Sequence, residues 1–262
     1  MSEAVGIIPA RLASVRFPRK MLASETGMPL VQHVWARATQ AKSLARVVIA
    51  TDAAEIAEAC ATFGAQVVMT SPDHPNGTSR LAEAAEQLGL RDDDIAVNVQ
   101  GDEPEMEPGV IDAAVKALRA AANDVPASTV ASPFVPGEDV KSPDIVKVVR
   151  GVDGRALYFS RAPIPADRDG DARARLGDAA QPLKHIGIYC YRRAFLKKYL
   201  ALEPTPLEQS ERLEQLRVLE NGYSMMVAIH RSMSCGIDTP QQYEAFVARW
   251  KARQGGTAIG KV

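Results

Sequence analysis

Short apolar runs alternate with amphipathic segments through the first hundred residues, and this alternation constrains the fold more than any other feature of the sequence. Each apolar run has the length of a buried strand, and each amphipathic segment has the length of a helix. The predicted strands are residues 5–9, 46–51, 66–70 and 95–100, and the predicted helices are 29–42, 52–64 and 78–88. Strand–helix–strand units at this spacing predict right-handed crossovers and a mostly parallel, doubly wound α/β sheet.

Helix-start signals occur in both halves of the chain, although the second half is less regular. Asp52 is placed to cap the second helix of the first half, and Thr205, followed by Pro and by Glu three residues on, is a capping box. This box predicts one helix from Thr205 to Gly222, and Thr239-Pro predicts the start of the last helix. Further strands are predicted at 125–131, 145–149 and 185–191, a hairpin at 151–159, a loop at 163–182 and a frayed tail at 255–262.

Composition limits the possible partners and the cellular compartment. The formal net charge is −1, so no long-range field favours nucleic acid or an anionic membrane surface, and any bound anion needs a local basic cluster. The three cysteines are far apart, which argues against a zinc ribbon or a disulfide framework. With no predicted signal peptide or membrane span, we expect a cytoplasmic protein that binds neither nucleic acid nor membrane. No linker divides the chain, so residues 1–262 are predicted to form a single domain.

A basic loop follows the first predicted strand. Four cations, Arg11, Arg16, Arg19 and Lys20, fall within ten residues of the strand end, where open α/β sheets place ligands. The loop lacks glycine, so it is neither a dinucleotide-binding turn nor a Walker A loop. Charged side chains would have to hold phosphates instead. The alternative is a solvated basic loop without a ligand.

Two carboxylates are candidates for a metal site. Asp102 lies in N-V-Q-G-D-E-P after the fourth strand, at the sheet edge that also carries the basic loop. A hard cation that bridges phosphates needs carboxylate oxygen there, and Gly101 permits close approach of a ligand. Asp238, in G-I-D-T-P, is the candidate second carboxylate. Alternatively, the first string is a turn with a helix cap and Asp238 helps to cap the last helix.

A third group of polar residues lies farther along the chain. His185 and Tyr189 share one face of a predicted strand because side chains alternate with a period of two. Arg161 precedes this strand, and Glu214 and Gln215 lie on the helix that begins at Thr205. From the residues alone, the favoured alternative is a structural histidine with Glu214 and Gln215 on the solvent face of an amphipathic helix.

Taken in order, these strings resemble the 3-deoxy-manno-octulosonate cytidylyltransferase (CMP-KDO synthetase) family. The resemblance covers residues 5 to about 245, and its most specific parts are N-V-Q-G-D-E-P and P-L-E-Q-S-E-R-L-E-Q-L-R. It implies a nucleotidyltransferase-like, Rossmann-type fold, with a smaller β-containing part for sugar binding and dimerisation within about 125–205. Family members are usually homodimers.

The resemblance also implies a role for each candidate residue. Arg11, Arg16 and Lys20 would neutralise the triphosphate of CTP, with Lys20 counted among the catalytic groups. Gln100 would place the cytidine portion, Arg80 would lie near the nucleotide or sugar, and Asp102 and Asp238 would be catalytic ligands of Mg²⁺. The residues that would hold the acid sugar are Arg161, His185, Tyr189, Glu214 and Gln215.

Four positions depart from the family pattern. Arg19 stands where the family commonly has Gly, and Met21 stands in place of Pro. Ser79 replaces a Glu, and Ala166 replaces a Trp near the expected sugar side. No departure removes a proposed catalytic group, so they leave the reaction unchanged and the identity of the sugar open.

The predicted reaction joins CMP to the anomeric hydroxyl of a 3-deoxy-2-ulosonate, most simply KDO for lipopolysaccharide biosynthesis, and releases pyrophosphate. Two alternatives stay open at this point. One is a related transferase for another acid sugar, such as an amino analogue of KDO or sialic acid. The other is a non-catalytic nucleotide-binding protein on the same fold, although such a protein has no need of both metal carboxylates.

Overall fold

The computed structural model describes residues 2–13 and 16–257. The first half contains strands β1 to β4, with a helix after each strand. The bounds are β1 Ala4–Ala10, α1 Leu30–Ala38, β2 Arg46–Thr51, α2 Ala54–Ala61, β3 Gln66–Met69, α3 Gly77–Gln87, β4 Ile95–Asn98 and α4 Pro108–Ala120. The four predicted strands and the three predicted helices are therefore present, with ends shifted by a few residues.

The second half mixes short helices with the remaining strands. The bounds are β5 Ala127–Pro133, β6 Lys147–Arg150, β7 Ala156–Ser160, α5 Ala172–Leu176, β8 Leu183–Arg192, α6 Arg193–Leu200, α7 Pro206–Glu211, α8 Gln215–Glu220, β9 Met225–Ile229 and α9 Pro240–Thr257. The predicted tail falls partly in α9, and residues 258–262 lie outside the described part. No helix among the described residues combines the length and apolarity needed to cross a bilayer.

One mixed sheet organises the described chain. Its main path runs β3-β2-β1-β4-β8-β5-β9, and the pairs β3–β2, β2–β1, β1–β4 and β5–β9 are parallel. Strand β8 is antiparallel to both β4 and β5. The β6–β7 hairpin pairs with one end of β8. The predicted fold class, a mostly parallel α/β sheet of nucleotidyltransferase type, is confirmed.

Helices cover both faces of this sheet, which makes it doubly wound. On β1, Ile8 packs on the face that carries α1, α2 and α4, whereas Ile7 packs on the face that carries α3, α6 and α8. Both side chains are fully buried. Central parallel strands buried on both faces read as continuous apolar runs, which is why the sequence of β1 shows no polar alternation.

Several sequence predictions are wrong in detail. The helix expected from Thr205 to Gly222 is two helices, α7 and α8, because Arg212 between them adopts a left-handed conformation with φ 53°. Asp52 does not cap α2, since its carboxylate accepts a hydrogen bond from Arg80 instead. The predicted loop at 163–182 contains a short helix, α5. Elements α4, α6 and β9 were also not predicted, although Pro108 followed by a regular apolar stripe is a helix signal.

A buried ion pair joins the two halves of the broken helix. Arg217 on α8 donates to both carboxylate oxygens of Glu208 on α7, at 2.7 and 2.6 Å. Both side chains are largely buried, so each compensates the desolvated charge of the other. The Glu208 carboxylate also accepts the backbone N–H of Thr205, as the predicted capping box requires. This pair fixes the angle at which α8 presents its first residues.

The last helix packs on α1 through a buried histidine. The Nε2 atom of His33 lies 2.7 Å from the Thr26 hydroxyl, and its ring meets Phe246 and Trp250 of α9 edge-on. The residue is 3% exposed, and burial lowers the pKa of His33 to about 4. Protonation therefore favours the unfolded chain, in which an imidazole has a pKa of about 6.5.

We expect the stability of the protein to fall as the pH drops from about 6.5 toward about 4, by up to about 1.4 kcal/mol per unit for this histidine. The variant His33→Gln keeps an amide for Thr26 but cannot titrate. Urea unfolding at pH ~7.5 and ~5 should show that wild type loses about 2 kcal/mol more than the variant between the two conditions. Equal losses of unfolding free energy in the wild type and the variant would show that His33 does not cause this pH dependence.

Candidate active site

A cleft of about 870 Å³ opens at the carboxyl ends of β1 and β4. This is the edge at which open α/β sheets bind ligands. The loop after β1 and the turn after β4 meet there at Gly101, where an added Cβ would lie 2.8 Å from the carbonyl oxygen of Pro9. Only glycine fits this approach. Lining residues include Arg11, Arg16, Lys20, Arg80, Gln100, Asp102 and Asp238.

Lys20 lies at the centre of the cleft and joins the two candidate metal ligands. Its ammonium donates to Asp102 Oδ2 at 2.9 Å and to the carbonyl oxygen of Ile237 at 2.7 Å. Asp238 Oδ1 lies 3.5 Å from the same nitrogen. Lys20 as a residue is only 7% exposed. Two carboxylates that are far apart in the sequence therefore share one buried cation.

The remaining basic residues lie at the mouth of the cleft. Arg16 forms an exposed ion pair with Asp238 at 2.9 Å, and Arg11 lines the cleft beside it. Ser14 and Val15 of this loop lie outside the described residues. Exposed cations near a carboxylate-lined cavity are free to turn toward an incoming polyphosphate.

Asp238 does not serve as the helix cap that one reading of the sequence suggested. The side-chain oxygen of Gln242 accepts the backbone N–H groups of Asp238 and Thr239, and the Thr239 hydroxyl accepts the N–H of Gln242. The start of α9 is thus satisfied by Thr239 and Gln242. The carboxylate of Asp238 remains directed toward cations.

The donor set around Lys20 fits Mg²⁺. The described residues contain no group of three or more His, Cys, Asp or Glu side chains arranged to hold a metal on their own. Mg²⁺ commonly binds through one or two carboxylates together with substrate phosphates and water. Asp102 and Asp238 supply two such carboxylates at the floor of a cleft lined by cations.

Arg80 and Gln100 also line the cleft. Arg80 is 3% exposed, and its guanidinium donates to Asp52 at 2.8 Å and to the Thr70 hydroxyl. Its orientation is therefore fixed before any ligand binds. The Gln100 side chain lies over β8, where its Cγ atom would be 3.4 Å from a Cβ atom added to Gly187.

His185 and Tyr189 lie on either side of Gly187, on the same face of β8. Their rings are 5.3 Å apart, and His185 also meets Phe159 edge-on. The Thr129 hydroxyl gives its proton to the carbonyl oxygen of Ile188, so it accepts from His185 Nε2 at 2.8 Å. Burial lowers the pKa of His185 to about 3 and raises that of Tyr189. Both groups are neutral hydrogen-bonding side chains at physiological pH.

Glu214 and Gln215 reach the same region from the start of α8. The Thr78 hydroxyl donates to Glu214 at 3.3 Å, and burial raises the pKa of the Glu214 carboxyl. Gln215 is 3% exposed, and its amide nitrogen has no hydrogen-bond partner. A buried amide without a partner is costly, so Gln215 is a strong candidate for a ligand contact.

Arg161, which was predicted to bind the sugar, is hydrogen-bonded to other residues of the protein. Its guanidinium donates to the carbonyl oxygens of Glu211 and Pro143, and its backbone N–H donates to the Glu211 carboxylate. These bonds join the end of β7 to α7. A role in binding a sugar carboxylate stays a prediction, and it requires Arg161 to exchange a carbonyl partner for the ligand.

Two polar residues near these groups were missed by sequence reasoning. Asn98 ends β4 opposite Tyr189, is 3% exposed and leaves its side-chain oxygen without a partner. Glu103 follows Asp102, and its Oε1 would lie 3.3 Å from a Cβ on Gly187. Burial and the neighbouring Asp102 charge raise the pKa of Glu103 to about 7. Both residues belong to N-V-Q-G-D-E-P, so the signal was present in the motif.

Known proteins of one family are similar to this chain over nearly its whole length. A family model described as "Cytidylyltransferase" matches residues 5–229. The 3-deoxy-manno-octulosonate cytidylyltransferase of Alkalilimnicola ehrlichii is 51% identical over 256 residues, covering 96% of this chain and 97% of the relative. The enzyme of the same name from Syntrophobacter fumaroxidans is 48% identical, with 93% and 95% covered.

Among solved structures, a CMP:2-keto-3-deoxy-manno-octonic acid synthetase complexed with CTP superposes with a TM-score of 0.88 and 37% identity. The superposition covers 96% of this chain and all of the other. A 4-diphosphocytidyl-2C-methyl-D-erythritol synthase, at 11% identity and a TM-score of 0.62, shares the fold alone.

The loop that leads to Lys20 carries backbone strain at Arg19. This residue has φ 59° and ψ 21°, in the left-handed region that glycine adopts most easily, and its guanidinium pairs with Glu55 on α2. The resemblance implies a glycine at this position, which would suit the turn, whereas the arginine of this chain is strained there. An exposed ion pair compensates little of that cost.

We expect Arg19→Gly to be more stable than Arg19→Ala, because both variants lose the pair with Glu55 and only glycine relieves the strain. Scanning calorimetry should give the glycine variant a melting temperature higher by about 2–4 °C. Comparison of the two variants isolates the backbone contribution. An alanine variant that melts at the same temperature or higher would contradict it.

Proposed function

The chain belongs to the 3-deoxy-manno-octulosonate cytidylyltransferase family, and on that premise we propose that it transfers CMP from CTP to the anomeric hydroxyl of KDO and releases pyrophosphate. The observation that carries the proposal is the convergence of Lys20, Asp102 and Asp238 on the floor of the cation-lined cleft. The product would supply lipopolysaccharide biosynthesis. We propose a cytoplasmic, Mg²⁺-dependent homodimer, as the family resemblance implies.

The basic residues of the cleft are suited to the polyphosphate. Arg11 and Arg16 would hold the β- and γ-phosphates from the cleft mouth, while Lys20 would approach from the floor. When the anomeric oxygen attacks the α-phosphorus in line, the bond to the bridging oxygen breaks and negative charge grows on the departing pyrophosphate. Fixed cations aimed at that charge stabilise the transition state more than the ground state.

Asp102 and Asp238 would hold Mg²⁺ against the nucleotide phosphates. The ion, when bound, would offset charge on the α-phosphate and lower the pKa of a hydroxyl near it. Lys20 now occupies the position between the two carboxylates, so it would have to exchange these partners for the triphosphate. The sugar's proton would leave to solvent water.

The sugar would be held by neutral and acidic hydrogen-bonding groups on β8 and α8. His185 has its Nε2 proton committed to Thr129, so its Nδ1 atom is the acceptor available to a sugar hydroxyl. The unpaired amide nitrogen of Gln215 is a donor, and the unpaired oxygen of Asn98 is an acceptor. Converging groups of this kind discriminate against sugars that lack the matching hydroxyls.

Pyrophosphate release with a panel of nucleotides and acid sugars tests the function directly. We expect turnover with CTP and KDO in the presence of Mg²⁺, and much slower turnover with UTP or with sialic acid. Asp102→Asn should retain its fold but lose most turnover, because it removes one ligand charge. Absence of turnover with every pair would favour a non-catalytic nucleotide-binding protein, and a preference for another sugar would reassign the substrate.

Gln215→Ala tests the sugar side separately. We expect kcat/KM for KDO to fall roughly 10- to 100-fold, the scale for losing a hydrogen bond in a buried site, with CTP affinity by calorimetry nearly unchanged. Gln209→Ala is the matched control, because Gln209 is an exposed amide on the neighbouring α7. A parallel loss of CTP binding, or unchanged sugar kinetics, would contradict this assignment.

A further inference from the structure

The segment between β9 and α9 carries Asp238 but has little backbone pairing of its own. It contains no helix or strand, and its backbone bonds to the rest of the protein are few: His230 N–H to the carbonyl oxygen of Ala131, and Ile237 N–H to that of Asp102. A backbone held at so few points would leave Asp238 loosely placed. Side chains must therefore determine its course.

Glu107 supplies the strongest of these side-chain contacts. It stands at the N-cap of α4 but makes no capping hydrogen bond to its own helix. Its Oε2 accepts the Ser232 hydroxyl at 2.5 Å, and its Oε1 accepts the backbone N–H of Met233 at 3.1 Å. Both carboxylate oxygens thus bind adjacent residues of the Asp238 segment.

Further contacts continue this attachment toward Asp238. Glu103 Oε2 accepts the Ser234 hydroxyl at 2.8 Å, and Lys20 donates to the carbonyl oxygen of Ile237. From the other side, the hydroxyl of Ser132 on β5 accepts the N–H of Ser232. The turn after β4, which contains Asp102, therefore binds residues 232, 233, 234 and 237 in succession.

Because the bonds of Asp102, Glu103 and Glu107 run between the turn that bears Asp102 and the segment that bears Asp238, they fix the separation of the two carboxylates. We propose that Glu107, acting through Ser232 and Met233, is a positioning residue that holds Asp238 where it and Asp102 can bind one divalent cation. This inference rests on the proposed function in treating both aspartates as metal ligands. Residues that orient metal ligands in this way typically affect metal affinity or activity 10- to 100-fold.

Three variants separate positioning from charge and from general stability. Glu107→Ala removes both bonds, and Ser232→Ala removes one with a smaller change. Glu107→Gln lacks the charge but can accept from Met233 N–H with its amide oxygen and donate to the Ser232 hydroxyl with its amide nitrogen. Ser224→Ala is the matched control, since it deletes a serine whose hydroxyl accepts from Arg155, away from the cleft. The probe is Mn²⁺ alone, whose binding is followed by electron paramagnetic resonance, together with amide hydrogen exchange of the metal-free protein.

We expect Glu107→Ala and Ser232→Ala to weaken Mn²⁺ binding roughly 10-fold and to speed amide exchange in residues 232–238, with exchange in β1 and β2 unchanged. Glu107→Gln and Ser224→Ala should behave as wild type. In the kinetic assay, the metal concentration for half-maximal rate should rise, while kcat at saturating metal recovers.

Four results would overturn the inference. These are unchanged Mn²⁺ binding in both alanine variants, equal weakening in Glu107→Gln, equal weakening in Ser224→Ala, and accelerated exchange across the whole chain. Equal weakening in Glu107→Gln would show that charge rather than position matters, and global exchange would show a loss of stability. Absence of pyrophosphate release by wild type would instead refute the proposed function, while the Mn²⁺ and exchange measurements would still decide this inference.

Discussion

The cleft depends on one buried ammonium that holds two carboxylates together. Asp102 and Asp238 are far apart in the sequence, and like charges brought into a partly desolvated cavity repel each other unless a cation lies between them. Lys20 supplies that cation, and its bond to the carbonyl oxygen of Ile237 fixes the same segment a second time. The loop after β1, the turn after β4 and the chain before α9 thus meet at one nitrogen. In the active protein, metal and triphosphate would take over this neutralisation.

The first half of the fold could be predicted because its signals are local. Strands β1, β2 and β4 are buried runs and β3 is a short edge strand, and their parallel order follows from the helices between them. The reversed direction of β8 could not be read from its residues, because an apolar strand between β4 and β5 looks alike in either direction. The break at Arg212 was also hidden, since the capping box and the leucine stripe both favour a continuous helix.

The site was predicted where chemistry leaves a pattern in the sequence. The cations after β1 and the carboxylate after β4 share a sheet edge, and the topology brings them into one cleft. The contacts of Arg161 with backbone carbonyl oxygens, and the unpaired atoms of Asn98 and Gln215, depend on tertiary packing that no local pattern encodes. Likewise, Glu107 at the N-cap of α4 reads as a helix signal in the sequence, whereas its hydrogen-bond partners, Ser232 and Met233, lie more than a hundred residues away.

The reversed strand β8 also bears on how such a protein can diversify. Because β8 pairs with β5 over most of its length, with β4 at its C-terminal end and with β6 at its N-terminal end, its backbone cannot shift without breaking these ladders. His185 and Tyr189 therefore project from a strand of the sheet, whereas Arg11 and Arg16 project from a loop. A new sugar specificity can therefore arise only by exchanging side chains on a fixed backbone. Single substitutions on β8 and α8 are the expected steps in the evolution of such a specificity.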